Sequence, residues 1–300
     1  YKSSHGKYRS FFLSGMDVKK TLMTLTNYHN LFFKTLGSKI NKTELEEFFF
    51  WIIEHYCKIN RMGYILNPNY QINDIQKYNL FESISLLEQN MPIQYIIGET
   101  EFMGLKYFLN QNVLIPRPET EELVSWILSD FPKDKSILDI GTGSGCIAVS
   151  LAKFSTSCEI TGWDIDNEIL NIARKNARTN DTNVFFEIQD ISSINSKKKF
   201  DIIVSNPPYI TSKEKLLIED NILLYEPHRA LFVDDKDPLF FYNKIIDFAV
   251  NSLNKNGIIF FEINELMMED VSKLLNNKGF YDIEHKIDFR LKNRMIKACI

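Results

Sequence analysis

The stretch best suited to do chemistry is Asn206-Pro207-Pro208-Tyr209. It follows Phe200-Asp201-Ile202-Ile203-Val204-Ser205, whose β-branched apolar residues predict a buried central strand. Two consecutive prolines lack N–H groups and fix φ, so the ladder stops there and the backbone leaves in a stiff, extended loop. At the strand's carboxyl end this presents the Asn206 side-chain oxygen, the Pro207 carbonyl and the flat Tyr209 ring. Such a set grips a planar amide or amino group by its N–H donors while the ring covers its face. A lone Pro-Pro pair reads first as a capped strand end; a second motif upstream shifts the balance toward chemistry.

In that motif an apolar strand, Ser136-Ile137-Leu138-Asp139-Ile140, runs into Gly141-Thr142-Gly143-Ser144-Gly145, and a helical pattern begins at Cys146. Glycines let the backbone turn tightly and approach a ligand on the way into a helix N-terminus. A dinucleotide fingerprint places its last glycine three positions after the second, whereas here the gap is two. A pyrophosphate requires the helix dipole aimed at it; G-x-G-x-G leaves room for an uncharged adenosine with a zwitterionic amino-acid tail. Asp164, about 20 positions on and closing the next predicted strand, is placed for ribose hydroxyls and argues against a 2′-phosphate. Together these residues point to S-adenosylmethionine, held by Gly141, Thr142, Gly143, Ser144, Gly145 and Asp164. An ordinary strand-to-helix turn is the competing reading. Asp190, at the end of a third strand, is either a partner for the adenine amino group or a plain loop carboxylate.

The elements that must position these residues alternate regularly from Ser136. Strands are predicted at 137–140, 159–164, 184–189 and 201–205, with helices at 146–154 and 168–178 between the first three. A helix at 237–253, a strand at 258–263, a helix at 266–277 and strands at 281–288 and 295–300 follow. Alternating β and α with apolar strands means an α/β fold with a mostly parallel sheet covered on both faces. No helix separates the last two strands, so the final one enters antiparallel. Ligands of such sheets sit at the strands' carboxyl ends where the strand order reverses, and Gly141–Gly145, Asp164, Asp190 and Asn206 all fall at such ends.

Upstream, residues 16–90 read as a helical domain. Leu45, Phe48, Phe49, Ile52, Ile53 and Tyr56 recur at three and four, and Thr43 with Glu46 forms a capping-box pattern at that helix's start. Asn67-Pro68-Asn69 marks a turn, and a second helix spans 72–89. His29 and His55 sit alone and read as surface or packing residues. Residues 91–110 form a linker and hairpin around Gly98 and Gly104, and 111–300 the catalytic domain. Residues 1–15, rich in Ser, Gly, Lys and Tyr, read as a vector-derived or disordered leader with Met16 as the native start. In Leu114-Ile115-Pro116-Arg117-Pro118 each proline keeps its predecessor extended, and Glu119-Thr120-Glu121-Glu122 then opens a helix with acids at its positive end. This loop is placed to form a lid, with Arg117 pairing a carboxylate or remaining solvated.

With 300 residues, 44% apolar and 25% charged, the chain is long enough for a full core in one large or two modest domains. A net charge of −4 gives no global basic field for a phosphate backbone. Cys57, Cys146, Cys158 and Cys299 are widely spaced with no C-x-x-C, as in a reduced protein without zinc. No apolar run reaches the length of a membrane span and no signal peptide is recognisable, so the expected setting is the cytoplasm.

D-x-G-T-G-S-G from Asp139 to Gly145, with N-P-P-Y from Asn206 to Tyr209, resembles the class I amino-group methyltransferases. The segment from Asn112 to Val124, containing I-P-R-P-E-T-E, and Glu226-Pro227-His228-Arg229-Ala230-Leu231 narrow this. Together they resemble the HemK/PrmC family, which methylates the side-chain amide of the glutamine in the Gly-Gly-Gln motif of peptide chain release factors. The likeness runs strongly from Met91 to the C-terminus, and covers the helical region before it by size and position. It implies a Rossmann-like seven-stranded methyltransferase sheet, a small N-terminal domain that docks a class 1 release factor, and Asn206, Pro207, Pro208 and Tyr209 as catalytic and substrate-binding residues. Asn206 also borders the cofactor, and Arg117 the substrate. Phe102 is implied to reach the cofactor region, although as an isolated aromatic it reads equally as hairpin core. The chain departs from the family pattern at Glu262-Ile263-Asn264, where Glu-x-Gly is usual, and at Ile191 of the adenine wall, where an aromatic is common.

The implied reaction is an in-line displacement at a sulfonium methyl by an amide nitrogen, with no metal. Two rivals remain: an adenine-N6 DNA methyltransferase, which shares N-P-P-Y, and a silent module that binds a partner through its helices. The first has no visible basic target-recognition segment, and intact Asn206–Tyr209 and Gly141–Gly145 argue against the second.

Overall fold

The structure, a computed structural model, describes residues 23–131, 133–194 and 196–300. The expected leader at 1–15 and start at Met16 lie outside the described residues. Between Ile93 and Gln94 the chain divides into two compact units.

The first unit is helical: α1 (Leu25–Leu36), α2 (Lys42–Cys57), α3 (Arg61–Leu66) and α4 (Asp74–Glu88). Leu45, Phe49, Ile52 and Ile53 of α2 are buried as the three-four spacing predicts, with Tyr28 and Phe32 of α1 around Phe49. The cap of α2 differs from expectation. Asn41, not Thr43, takes the Glu44 N–H at 2.9 Å and donates back to the Glu44 carboxylate at 2.8 Å. N-K-T-E and T-E-L-E overlap in register, and the carboxamide both accepts and donates, so the earlier pattern wins.

The second unit begins at the short helix α5 (Ile93–Ile97) and the hairpin β1 (Glu99–Phe102) and β2 (Leu105–Phe108). Met103 and Gly104 at its tip both have positive φ, the two-residue turn that matches strand twist. The hairpin is fastened down: the Phe108 N–H donates to Asn176 at 2.7 Å, and the Asn180 amide donates to the Lys106 carbonyl at 2.8 Å. Then follow α6 (Pro118–Asp130), β3 (Ser136–Ile140), α7 (Cys146–Phe154), β4 (Glu159–Asp164), α8 (Asn167–Thr179), β5 (Val184–Ile188) and β6 (Phe200–Ser205). After β6 come α9 (Asp220–Tyr225), α10 (His228–Leu231), α11 (Phe240–Ser252), β7 (Leu253–Glu262), α12 (Met268–Asn277), β8 (Tyr281–Ile287) and β9 (Asn293–Cys299).

Among the described residues seven strands form one sheet in the order β5-β4-β3-β6-β7-β9-β8. All run parallel except β9, which enters antiparallel between β7 and β8 as expected from the missing helix. Neighbouring residues of the central strands point to opposite faces. Ile137, Ile202, Val204 and Phe260 meet α6, α7 and α8; Leu138, Ile203, Ile259 and Phe261 meet α11 and α12. Burial on both faces is why these strands read as continuous apolar runs. The order reverses between β3 and β6, and that is where the residues singled out above converge.

Candidate active site

Ile140 of β3 is register partner to Trp163 of β4, and the chain turns at once: the Gly141 and Thr142 N–H groups both donate to the Trp163 carbonyl, at 2.9 and 2.8 Å. Gly141, Gly143 and Gly145 have φ of 73°, 55° and 81°, the left-handed region that favours glycine. Their tasks differ. A Cβ on Gly145 would lie 3.1 Å from Ala173 Cβ, so the third glycine lets α7 sit close on α8, whereas a Cβ on Gly141 would meet nothing within 4 Å. Open space therefore borders the backbone at the first glycine.

The Gly143 N–H donates to Asp164 Oδ2 at 3.0 Å and the Ile165 N–H to Oδ1 at 2.9 Å, which leaves further lone pairs on both oxygens. Burial pushes this carboxyl above its ordinary value, against the pull of the backbone N–H groups around it. Asp139, to which sequence reasoning gave no role, lies beneath the turn and is fully buried. The Thr142 hydroxyl donates to its Oδ2 at 2.6 Å, and its Oδ1 has no partner among the described residues. Burial pushes the Asp139 carboxyl up to about 7.

One strand further out, the Gln189 N–H donates to the Asp164 carbonyl at 2.9 Å, bringing Asp190 to the same edge. The Ser192 hydroxyl and N–H both donate to Asp190 Oδ1, at 2.6 and 2.8 Å, and hold the carboxyl below its ordinary value. Ile191 turns partly toward the core cluster that contains Trp163 and Tyr242.

On the other side of the reversal, Ile140 and Ser205 are register partners, so Gly141 and Asn206 leave the sheet side by side. The Asn206 amide NH2 donates to Thr120 Oγ1 at 3.3 Å, and the Thr120 hydroxyl donates to Glu262 Oε2 at 2.6 Å. Tyr209 donates its hydroxyl to the other oxygen, Glu262 Oε1, at 3.1 Å. Glu262, ending β7, is 2% exposed; burial pushes its carboxyl up, with Thr120, Arg294 and Tyr209 opposing. Burial also pushes the Tyr209 phenol up, so it stays protonated. Among the described residues nothing donates to Asn206 Oδ1 or to the Pro207 carbonyl. Two acceptors are thus uncommitted beside an aromatic ring.

Neighbouring loops pin this mouth. The Ile210 N–H donates to the Leu231 carbonyl at 3.0 Å and the Val233 N–H to the Ile210 carbonyl at 2.9 Å, which sets Glu226–Leu231 beside Asn206–Tyr209. Arg117 reaches the buried Glu226 at 2.6 Å, the carboxylate partner looked for in the sequence, and its charge acts on Tyr209. The loop before it is no free lid: Val113 and Ile115 are buried with Leu109, and the Tyr95 hydroxyl donates to the Val113 carbonyl at 2.8 Å. Asn264 replaces the usual glycine without positive φ, and its amide donates to Glu214 at 2.7 Å, joining the β7 end to the segment after Tyr209. Phe102 is 1% exposed and packs edge to face on Tyr107 in the main core cluster, the surroundings expected of a hairpin-core aromatic.

Thr120 and Glu262 escaped sequence reasoning because 142 positions separate them. A signal existed: Thr120 is the one uncharged residue among the acids opening α6, and Glu262 ends the apolar run Ile258–Phe261 on a carboxylate. Taken together, a glycine turn with acids for a nucleoside adjoins a stiff mouth of oxygen acceptors for an N–H-bearing planar group.

Two family models match the chain: the methyltransferase small domain over residues 119–231 and the PrmC N-terminal domain over residues 32–98. The release factor glutamine methyltransferase of Flavobacterium psychrophilum is 42% identical over 282 residues, covering 92% of this chain and 99% of its own. That of Bacteroides thetaiotaomicron is 44% identical over 214 residues, 71% of this chain and 77% of its own. Among solved structures, a methyltransferase from Pyrococcus furiosus superposes with a TM-score of 0.51 at 18% identity, over 75% of this chain and 97% of its own, a likeness of fold alone. The chain therefore belongs to the release factor glutamine methyltransferase family.

Proposed function

We propose that this protein transfers the methyl group of S-adenosylmethionine to the side-chain amide nitrogen of the glutamine in the Gly-Gly-Gln motif of class 1 peptide chain release factors, and so modulates translation termination in the cytoplasm. The observation that carries the reading is the uncommitted Asn206 Oδ1 and Pro207 carbonyl, set beside the glycine turn at the reversal of the sheet.

The site suits the cofactor. Space beside Gly141, spare lone pairs on Asp164 and the orphaned Oδ1 of Asp139 match a nucleoside with an ammonium-bearing tail. Gly141 to Gly145 and Asp164 would hold it, with Asp190 and Ile191 toward the adenine. When bound, it supplies a methyl group already activated by the positive charge on sulfur. The difficulty lies with the nucleophile, because an amide lone pair is delocalised into its carbonyl. Asn206 Oδ1 accepts one N–H and the Pro207 carbonyl the other, fixing the nitrogen and placing two dipoles against the positive charge that develops on it. Pro207 and Pro208 keep those oxygens from drifting, and the Tyr209 ring covers the amide plane. The proton leaves to water after transfer.

The N-terminal unit, most of which matches the PrmC N-terminal domain, supplies docking surface for the protein substrate. Removing residues 16–89 then spares cofactor binding and abolishes activity on whole release factor; surviving activity refutes the docking role. A DNA adenine methyltransferase is disfavoured by the net charge of −4 and by the family to which the chain belongs, and a silent module by the open acceptors.

Incubation with labelled methyl donor and either a release factor or duplex DNA, followed by mass spectrometry, tests the reading. Label on the glutamine amide is expected. Label on adenine, or on neither, overturns it.

A further inference from the structure

We propose that Thr120 and Glu262 are positioning residues whose relay holds the Asn206 carboxamide oxygen-outward and thereby makes the mouth selective for N–H donors; this rests on the amide-methylating reading above. A threonine hydroxyl has one proton to give, and at 2.6 Å Glu262 Oε2 takes it, the length of a charge-assisted O–H···O bond. Thr120 Oγ1 then faces Asn206 with lone pairs only. The NH2 of Asn206 turns toward it, at 3.3 Å, and Oδ1 turns away into the mouth. Rotated by half a turn, Asn206 would set its oxygen against the Thr120 lone pairs and present N–H donors to a substrate NH2 that is itself a donor. Grip would become repulsion.

The same carboxylate takes the Tyr209 hydroxyl on its second oxygen, so one buried charge orients both the grip and the ring. Groups from every neighbouring element face it. Thr120 and Glu119 come from α6, Cys146 from the start of α7, Tyr209 from the loop after β6, Arg294 from β9, and Tyr242 from α11 donates to the Glu262 backbone carbonyl at 3.1 Å. Arg294 spends its own N–H groups on Asp288 at 3.1 Å and the Ile263 carbonyl at 3.3 Å, so it supplies charge while Thr120 and Tyr209 supply the bonds. Protonated Glu262 would carry a proton of its own to donate, freeing the Thr120 hydroxyl to donate to Asn206 Oδ1 and letting the amide turn.

Thr120→Val removes the hydroxyl at nearly constant shape, and Thr120→Ser keeps it. Expected is a loss of kcat on the order of 10- to 100-fold for Val, with donor affinity unchanged, and recovery close to wild type for Ser. Val retaining kcat while Asn206→Ala loses it overturns the relay and leaves the functional reading standing; Asn206→Ala retaining kcat overturns both. Should the Val variant fail to fold, the pH profile of Glu262→Gln decides. At saturating donor the wild-type kcat falls on the acid side above the ordinary glutamate range, and the Gln variant loses that limb. A limb unmoved by Glu262→Gln refutes the proposal.

Discussion

The Ser205 hydroxyl donates to the Ile140 carbonyl at 2.7 Å, tying together the last residues of the two strands between which the sheet order reverses. Each strand's next residue, Asn206 and Gly141, is thereby held about one strand spacing, ~4.8 Å, from the other. The glycine turn and the Asn206 loop are thus anchored on one pair of strands, with that bond at their ends.

Asp164→Ala is expected to weaken the methyl donor by about 1.5–3 kcal/mol, the range for hydrogen bonds to a charged group, with the fold intact. Burial raises this carboxyl, so donor affinity is full above the raised pKa and falls as pH drops through it, at a higher pH than a free aspartate's ~3.9. Calorimetry across pH checks both; an unchanged dissociation constant removes Asp164 from the site.

Gly141→Ala and Gly145→Ala separate two reasons for glycine. Both place a side chain at positive φ, at a cost of about 1–2 kcal/mol. Only at Gly145 does the new Cβ also press on Ala173, so that variant melts at the lower temperature. Gly141→Ala instead fills open space beside the turn and weakens the donor. Melting curves and calorimetry on the two proteins read this directly, and the reverse ranking contradicts it.

Asp139 predicts an unusual dependence of stability on pH. Unfolded, it ionises near ~3.9; folded, burial holds it protonated up to about 7. In that window the folded chain binds more protons than the unfolded one, so stability falls as pH rises. Asp139→Asn removes this slope. Ligand-free wild type should lose on the order of a few kcal/mol relative to the variant between about pH 4 and 7, read from denaturant midpoints. Parallel curves contradict it.

The β/α order and the antiparallel last strand were legible because buried strands announce themselves as apolar runs and helices by their spacing. Less so was the start of β7 at Leu253 in place of 258. Asn254, Asn256 and Gly257 look like a turn, yet they form the irregular first part of the strand, with Asn256 at positive φ and the pairing with β6 shifted. Helices α9 and α10 are too short to show periodicity. Within the site, glycines and prolines betray themselves locally, because their backbone consequences are local. Thr120, Glu262 and the Arg117–Glu226 pair act across long stretches of chain, and no spacing rule joins residues that only a folded sheet brings together.

On the proposed reading Asn206 grips the substrate amide and does little for the cofactor. Steady-state kinetics on a release factor, alongside calorimetry with the methyl donor, test it on Asn206→Ala. A fall in kcat of about a hundredfold or more with donor affinity nearly unchanged is predicted. Equal loss of both, or of neither, would contradict the account.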